Sequence, residues 1–403
     1  MSAPWIPVDP LEPADFARVR RRAIFECYKW DPQVGDASTV ARFPLVMSRA
    51  AWTDVAALAE TLARETLAAE AEIARRPELH VSLGLPRTIR RALGRAARFP
   101  SPGAARILRF DFHYTTDGWR ISEVNADVPG GLNEASGFAG IMRPHYPWAT
   151  PVGDPISAYI VAITAAAGIG ATVALVHATA YSDDQQMMAS LSRRLKAAGL
   201  TAHLASPAHL RFHRRRASLD AAWWQGSLDF IVRFFPAEWL SGLPRATGWM
   251  HLFGSTETPL SNPGTAILVQ SKRWPLVWDR LDTRLTAWRA LLPETRDPRD
   301  APWRHSPGWV LKPALGRVGE GVGLDGCVGA RDLRAIRRSA RWRPGHWIAQ
   351  RRFETVPVEI GGRTLYPCLG VYTIDGRAAG AYGRLAACPL IDGRAEDAAV
   401  LAA

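Results

Sequence analysis

The chain has 403 residues, of which 47% are hydrophobic and 22% are charged, and its formal net charge at pH 7 is +12. This length exceeds what one hydrophobic core serves, so we expect two or three lobes in a globular protein. The longest apolar runs, such as residues 156–170, are shorter than a membrane span, and Met1 does not lead into a signal peptide. We therefore expect no membrane partner.

The four cysteines are too scattered to suggest a sulfur-based metal site. Cys27, Cys327, Cys368 and Cys388 form no CxxC pair and have no metal-ligand spacing. This usage is typical of the reduced cytoplasm, where we expect the protein to be located.

The positive charge has two interpretations. A basic protein can bind nucleic acid, but here the basic residues are scattered and no RRM, KH or zinc-finger signature occurs, which argues against nucleic acid as a partner. The same positive electrostatic field would also attract an anionic substrate such as ATP.

Of the 50 basic residues only Lys29, Lys196, Lys272 and Lys312 are lysines, and a lysine in such a chain can mark a place that requires a compact ammonium. Retention by chance on a surface is the alternative, which we favour for Lys196 in a predicted helix.

The first 150 residues contain a helical layer and a β-hairpin. Residues 50–98 have helical spacing of apolar residues and are expected to pack on a sheet. Residues 106–114 and 119–126 alternate apolar and polar residues, which predicts two strands joined by the turn TTDG. A three-residue loop with Gly118 in the left-handed conformation pairs residue 115 with residue 119.

This register places four polar side chains on one face of the hairpin. Asp111 faces Glu123 and Arg109 faces Asn125, since side chains repeat every two residues along a strand. Asp, Glu and Asn supply oxygen ligands for Mg²⁺, which commonly lies between carboxylates and nucleotide phosphates. Arg109 can bind an anionic oxygen bidentately. The alternative is a solvated face on which opposite charges pair across the strands.

Residues 127–265 lead from a loop into a βαβ unit. Glu134 either caps the short helix that follows the loop or extends into the site. Residues 171–178, 182–200 and 201–207 predict a buried strand, a helix that ends at Gly199 and a second strand. Asp183 and Asp184 begin that helix near the carboxyl end of a strand, where open α/β sheets bind ligands. Acidic residues at a helix N-terminus are also ordinary partners of the helix dipole.

The last third of the chain contains a glycine-rich loop between predicted strands. Residues 266–275 predict a strand ending at Lys272, and Lys312 lies on a strand that precedes the loop at Gly316, Gly319, Glu320, Gly321 and Gly323. Backbone N–H groups of such a loop, together with an ammonium, suit nucleotide phosphates, although the loop matches neither the P-loop nor the dinucleotide fingerprint.

Two further stretches complete this third of the chain. Residues 346–354 predict a strand whose backbone can face an adenine. Residues 364–386 predict two strands that turn at Asp375-Gly376, and Arg384 near their end is either a phosphate contact or a surface charge.

Together these stretches resemble a known family. The motifs are ECYKWDPQVGD, RFDFH with EVNADVPGGLNEA, FFPAEWL, LVQSKRWPLVW, LKPALGRVGEGV and YGR. They resemble the synthetase module of glutathionylspermidine synthase and, more broadly, the circularly permuted ATP-grasp ligases grouped with that enzyme. The resemblance implies an α/β, ATP-grasp-like fold. Its expected parts are an ATP-grasp core with the helical layer and hairpin (1–150), a pre-ATP-grasp α/β domain (151–265) and a nucleotide-binding part with a small lid lobe (266–403).

The resemblance also implies an activity and a set of site residues. Members of the family join a carboxylate to an amine, using ATP and Mg²⁺, through an acyl phosphate. Asp111, Glu123 and Asn125 correspond to the metal ligands, and Arg109 and Arg384 to the arginines at the reacting phosphate. The expected ATP contacts are Lys272, Lys312, Gly316, Gly319, Glu320, Gly321, Gln350 and Arg351. The expected substrate contacts are Glu134, Asp183 and Asp184.

The pocket sequence departs from that of the members that use glutathione. Some of those members carry hydroxyl or thiol residues after EVNAD, whereas this chain has Val128-Pro129-Gly130-Gly131. Neither glutathione nor spermidine is therefore predicted, and the partners are expected to be a small or peptide carboxylate and an amine. The alternative to a ligase is a non-catalytic nucleotide-binding relative that acts as a partner protein.

Overall fold

The computed structural model describes residues 4–97, 105–316 and 319–403. In these residues the strands are β1 (Trp5–Ile6), β2 (Gln33–Val34), β3 (Ala37–Ser38), β4 (Leu45–Met47), β5 (Ile107–Thr115), β6 (Gly118–Asn125), β7 (Thr150–Pro151), β8 (Thr172–His177), β9 (Thr201–Ala205), β10 (Leu210–His213), β11 (Arg216–Ala221), β12 (Trp224–Ser227), β13 (Phe230–Phe234), β14 (Leu260–Ser261), β15 (Thr295–Arg296), β16 (Trp309–Pro313), β17 (Trp347–Arg351), β18 (Val358–Ile360), β19 (Arg363–Ile374), β20 (Arg377–Ala386) and β21 (Glu396–Ala402).

The α-helices alternate with these strands along the chain. They are α1 (Pro13–Phe25), α2 (Arg49–Ala74), α3 (Arg87–Ala96), α4 (Leu132–Met142), α5 (Pro155–Ala167), α6 (Ser182–Ala197), α7 (Ala237–Leu240), α8 (Ile267–Gln270), α9 (Thr286–Leu291) and α10 (Ala330–Trp342). The predicted α/β class is confirmed. Within the described residues, none of the helices combines the length and the apolar character that crossing a membrane requires.

The largest sheet joins the two ends of the chain. Its main path runs β1-β4-β21-β20-β19-β5-β6, with β18 beside β19 and β7 beside β21. The hairpin β5–β6 forms one end of this path, and helix α2 packs on β19 and β20. On the hairpin, Phe110 and Phe112 enter the core that also contains Leu62 of α2. Because side chains alternate along a strand, Arg109 and Asp111 face the other way.

The register of the hairpin differs from the prediction at the turn but agrees with it at the site. Gly118 is left-handed as predicted (φ 96°). However, Thr115 pairs with Gly118 rather than with residue 119, so the pairs next to the turn are shifted by one residue. A bulge between Asp111 and Phe112 cancels this shift, so Asp111 pairs with Glu123 as predicted. A bulge adds one residue to one strand and so redirects the side chains beyond it.

The second sheet is the predicted βαβ unit with two added strands. Its order is β14-β13-β8-β9, and all of its strand pairs are parallel. Helix α6 connects β8 to β9 and buries Met188, Leu191 and Leu195 against this sheet. The chain reverses after the helix at Gly199, whose φ is 84°. This connection brings the first turn of α6 to the carboxyl end of β8.

The third sheet, which we call the lid sheet, consists of β15, β17 and β16 in that order. Its strands pair antiparallel, and Ala340 of α10 packs in a small core with Trp309 and Trp347. The predicted strands that carry Lys312 and Gln350 are β16 and β17.

The predicted strand at residues 266–275 is wrong. Ile267–Gln270 forms the short helix α8, and Lys272 follows its end. Ile267, Leu268 and Val269 are all buried in the main core. A short apolar run that is buried on every side has neither the period of a helix nor that of a strand, so its pattern could not distinguish the two.

Candidate active site

A cleft of about 330 Å³ opens between the hairpin, the lid sheet and the first turns of α4 and α6. Every predicted site residue lines this cleft except Gly321, which lies in the glycine-rich loop, where an added Cβ atom would lie 3.6 Å from Pro313 Cγ. The structure thus brings together predicted site residues from widely separated stretches of the sequence.

The hairpin face forms the floor of the cleft. The Arg109 guanidinium donates two hydrogen bonds to Asp111, from Nε to Oδ1 at 2.7 Å and from Nη2 to Oδ2 at 2.8 Å. Asn125 Nδ2 donates to Asp111 Oδ2 at 3.0 Å. The Asp111 carboxylate therefore has three donors on its own face. Charge-assisted bidentate pairs of this kind fix the orientation of both partners.

Arg109 is also tied to the walls of the cleft. Its Nη1 donates to the Gly130 carbonyl at 2.7 Å and lies 3.2 Å from the Tyr382 hydroxyl. Burial opposes its charge, but Asp111 and Tyr382 outweigh this effect and raise the pKa of Arg109 above its ordinary value. Arg109 is thus a permanent cation at the centre of the site.

Two lysines approach the floor from the other side. Lys272 Nζ lies 2.9 Å from Glu123 Oε2 and donates to the Gly316 carbonyl at 3.0 Å. Lys312 Nζ donates to Gln350 Oε1 at 2.7 Å and to the Ser122 carbonyl at 3.3 Å. Ser122 lies in the irregular part of the hairpin, so the bulge that sets the register also supplies an acceptor to Lys312.

Burial and charge act in opposite directions on these groups. Burial raises the pKa of Glu123, but Lys272 and then Lys312 outweigh it, so this pKa is lowered and the carboxylate stays ionised. Burial lowers the pKa of Lys312 to about 8, with Glu123 opposing the shift and Lys272 adding to it. The two lysines and one carboxylate thus leave excess positive charge at this end of the cleft. Such an excess favours an anion.

The predicted adenine hinge has a more closed structure than expected. Gln350 is buried, and its side chain bridges Lys312 and Thr295, with Nε2 donating to Thr295 Oγ1 at 2.9 Å. The Arg351 backbone N–H donates a hydrogen bond to the Glu294 carbonyl at 2.8 Å, so this donor is occupied within the protein. The Arg351 side chain is exposed and stacks over Trp309.

The glycine-rich loop packs closely on the segment after β20. Gly319 and Gly321 have φ values of 69° and 71°. A Cβ atom on Gly319 would lie 2.3 Å from the Ile391 carbonyl oxygen, so no larger residue fits there without movement. Residues 317 and 318, which the loop motif also includes, lie outside the described part of the chain. The loop and the segment at Ile391 both line the cleft.

The opposite end of the cleft is acidic. Its carboxylates come from the N-terminal segment, from the first turns of α4 and α6, from α7 and from β21: Asp31, Glu134, Asp183, Asp184, Glu238 and Asp397. Glu134 lies in the first turn of α4, where it faces the cleft and lies 3.0 Å from Lys29 Nζ. Burial raises the pKa of Glu134 and of Asp183. Of the two predicted positions of Glu134, as a cap of the helix or as a residue of the site, the structure shows the second.

Arg384 joins the two ends of the cleft. It lies on β20, its Nη2 donates to the Asp392 carbonyl at 2.7 Å, and its Nε lies 3.8 Å from Asp397 Oδ1. It is largely buried rather than a surface charge.

Sequence reasoning missed several residues of the cleft. Lys29 and Asp397 are 368 residues apart and form a buried ion pair at 2.8 Å. The scarcity of lysine marked Lys29, but no local pattern indicated its partners. His113 also lines the cleft, and burial and Lys312 lower its pKa to about 3, so it is neutral. Lys196 is exposed, as expected of a surface lysine.

The donor set fits a hard cation. Within the described residues, no group of three or more His, Cys, Asp or Glu side chains is arranged to hold a metal. The predicted set has a different composition, since it consists of two carboxylates and one amide, Asp111, Glu123 and Asn125, on paired strand positions. Its oxygen atoms are of the kind that Mg²⁺ prefers, and Mg²⁺ usually keeps several waters or substrate oxygens besides such ligands.

Comparisons with known proteins place the chain in a family. The family model described as glutathionylspermidine synthase pre-ATP-grasp matches residues 34–396. The apo structure of a glutathione synthetase-like effector (GSS30) from Globodera pallida aligns with a TM-score of 0.68 and 11% identity, covering 97% of this chain and 96% of that one. A putative gamma-glutamylcysteine synthetase from Methylobacillus flagellatus KT aligns with a TM-score of 0.44 and 14% identity, covering 81% of this chain and 88% of that one. No curated protein matches the sequence.

These findings confirm the resemblance drawn from the motifs. The likeness to the Globodera pallida effector covers nearly both whole chains, and at this identity it shows a shared fold. The family match contains the hairpin, Lys272, Lys312 and the glycine-rich loop. The chain is therefore a member of the glutathionylspermidine synthase pre-ATP-grasp family.

Proposed function

We propose that this protein is an ATP- and Mg²⁺-dependent ligase that joins a carboxylate to an amine through an acyl phosphate. The observation that supports this most is the division of one cleft into two ends of opposite charge. Lys272, Lys312 and Arg109 surround the floor, where an anionic nucleotide would be stabilised. The carboxylates at the other end suit a cationic amine. A ligase that consumes both substrates needs both ends.

The residues at the basic end would bind the nucleotide. Lys272 and Lys312 would contact its phosphates beneath the glycine-rich loop, and the lid sheet around Gln350 would cover its base. Asp111, Glu123 and Asn125 would hold Mg²⁺, which supplies charge neutralisation at the transferring phosphoryl group. Catalysis of phosphoryl transfer depends mainly on such positioning and electrostatic stabilisation.

The chemical steps need little covalent work from the protein. An oxygen of the substrate carboxylate attacks the terminal phosphorus of ATP, which releases ADP and leaves an acyl phosphate. The neutral amine then attacks the acyl carbon, and inorganic phosphate leaves as the amide forms. Arg109 and Arg384 would stabilise the charge on the acyl phosphate. Glu134 and Asp183, whose pKa values burial raises, would accept the proton that the amine loses.

The test is a turnover assay with a panel of carboxylates and amines. We expect Mg²⁺-dependent ADP release that requires one carboxylate and one amine together, with a condensed amide detected by mass spectrometry. We expect Asp111→Ala and Glu123→Ala each to abolish turnover and metal-dependent ATP binding while leaving the circular dichroism spectrum unchanged. Lys196→Ala on the exposed face of α6 is the matched control and should retain full turnover.

Two results would contradict the proposal. ATP binding without turnover across a broad panel would favour the non-catalytic nucleotide-binding partner protein. Full turnover by Asp111→Ala and Glu123→Ala would remove the assignment of the metal site. A salt-dependent shift with DNA or RNA would instead reopen the interpretation of the net charge as a nucleic-acid surface.

A further inference from the structure

The acidic end of the cleft already contains an ammonium group. Lys29 Nζ lies 2.8 Å from Asp397, 3.0 Å from Glu134 and 3.2 Å from Asp31, and Lys29 is only 4% exposed. Burial alone would lower the pKa of Lys29, but Asp397, Glu134 and Asp31 outweigh it and raise the pKa well above its ordinary value. The three carboxylates therefore stabilise the charged form of Lys29.

This ammonium lies on the approach to the reacting centre. Asp397, which contacts it, is also 3.8 Å from Arg384 Nε. On the other side, Gln186 of α6 donates from Nε2 to Asp31 Oδ1 at 2.8 Å. Lys29 thus lies between the arginine assigned to the acyl phosphate and the helix that carries Asp183.

We propose that Lys29 is a specificity-determining residue whose ammonium fills the inner cation position of the amine end, so that the amine substrate is a monoamine rather than a diamine or polyamine. This inference rests on the proposed function, because it concerns the amine that the same cleft would accept. Both Lys29 and Asp397 lie outside the residues that the family model matches.

The reason is electrostatic and steric. The three inner carboxylates converge on one ammonium, and a second ammonium placed among them would lie within a few ångströms of Lys29. Like charges at such a separation repel strongly when water is largely excluded. Asp183, in the first turn of α6, lines the cleft but is not among the three carboxylates paired with Lys29. It could receive the one ammonium of a monoamine, which then loses its proton before attack.

Removing Lys29 would vacate the inner position. Two buried carboxylates, Glu134 and Asp397, and the partly exposed Asp31 would then lack their cation. Unpaired buried charges are costly, so this group would favour a replacement cation from the substrate. A diamine could place one ammonium there and present the other nitrogen to the acyl phosphate. A monoamine could place its nitrogen in only one of the two positions.

The test compares n-butylamine with 1,4-diaminobutane, which have the same chain length. In the wild-type protein with Mg²⁺, ATP and the carboxylate that the turnover panel selects, we expect kcat/KM to be at least tenfold higher for n-butylamine. In Lys29→Ala we expect the preference to reverse. By calorimetry, 1,4-diaminobutane should bind Lys29→Ala at least tenfold more tightly than it binds the wild type. Lys29→Arg keeps the charge and is the matched control, which should show no gain for the diamine.

The outcomes separate this inference from the proposed function. Absence of turnover with every amine would contradict the proposed function, whereas the calorimetric gain of Lys29→Ala would still be expected. Unchanged diamine affinity in a folded Lys29→Ala would overturn the inference while leaving the ligase intact. If Lys29→Ala does not fold, the wild-type amine pair decides alone, and equal or better use of 1,4-diaminobutane overturns the inference.

Discussion

If ATP binds as proposed, Lys312 should give its binding a specific pH dependence. Burial lowers the pKa of Lys312 from the ordinary 10.5 to about 8. This difference corresponds to a cost of about 3 kcal/mol for the protonated form relative to water. A nucleotide phosphate beside the ammonium would favour the protonated form and raise the pKa again. ATP binding should therefore take up a proton whenever the free protein has lost it.

The size of the effect follows from the pKa of about 8. In the free protein at pH 7, about nine tenths of Lys312 is protonated, and binding takes up little. At pH 8 the uptake should be about half a proton, and at pH 9 about nine tenths. Above pH 8 the dissociation constant of ATP should rise about tenfold for each further pH unit, because only the protonated fraction binds well.

The assay is calorimetry of ATP binding in buffers that differ in ionisation enthalpy, from pH 7 to pH 9.5. Lys312→Met should lose both the proton uptake near pH 8 and the steep part of the affinity curve, and it should bind ATP weakly at every pH. The exposed variant Lys196→Met should behave as the wild type. A wild-type protein with no proton uptake at pH 8.5, or the same uptake in Lys312→Met, would refute the reasoning.

Three further results are expected. Asp127 and Arg233 form an ion pair in which the side chains are 1% and 0% exposed, respectively. Asp127→Asn leaves this buried guanidinium without its carboxylate, so it should lower the free energy of unfolding by about 3–5 kcal/mol in a denaturant titration. An unchanged unfolding midpoint would contradict this. Gly319→Ala should lower kcat because its Cβ would meet a backbone carbonyl, whereas Gly326→Ala, also at positive φ but with open space, is the matched control and should lower it less. Binding of Mg²⁺ and of ATP should be positively coupled by roughly 5–150-fold, because each frees partners for the other; calorimetry that finds independent binding would exclude this coupling.

The parts of the fold that local patterns determine could be predicted from the sequence. The alternation of apolar and polar residues predicted β5 and β6, and the face on which Arg109, Asp111, Glu123 and Asn125 converge. The helix α6 could be predicted because its start and stop signals are local. The predicted pairing next to the turn was wrong by one residue. The predicted register at Asp111 and Glu123 was nevertheless right, because a bulge that the pattern does not reveal offset the error.

Long-range features could not be predicted. The helix before Lys272 is short and buried on all sides, so its fold is set by the surrounding core rather than by its own period. The contact of Lys29 with Asp397 joins the two ends of the chain, and it exists because β21 pairs with β4 in the largest sheet. A single sequence contains no signal that links positions so far apart.

The charge pairs of the cleft explain how it can be stable without substrates and still bind them. Arg109 pairs with Asp111, and Lys272 pairs with Glu123, so both carboxylates of the floor have a cationic partner within the protein. The Lys312 ammonium, which is held by Gln350 and the Ser122 carbonyl, supplies the excess positive charge. Phosphates would compete for the cations and Mg²⁺ for the carboxylates, and either ligand alone would leave buried charges unpaired. Together they would exchange every pair for a new one. The proposed site therefore favours the complete substrate complex over each partial one, and Lys29 extends the same arrangement to the amine end.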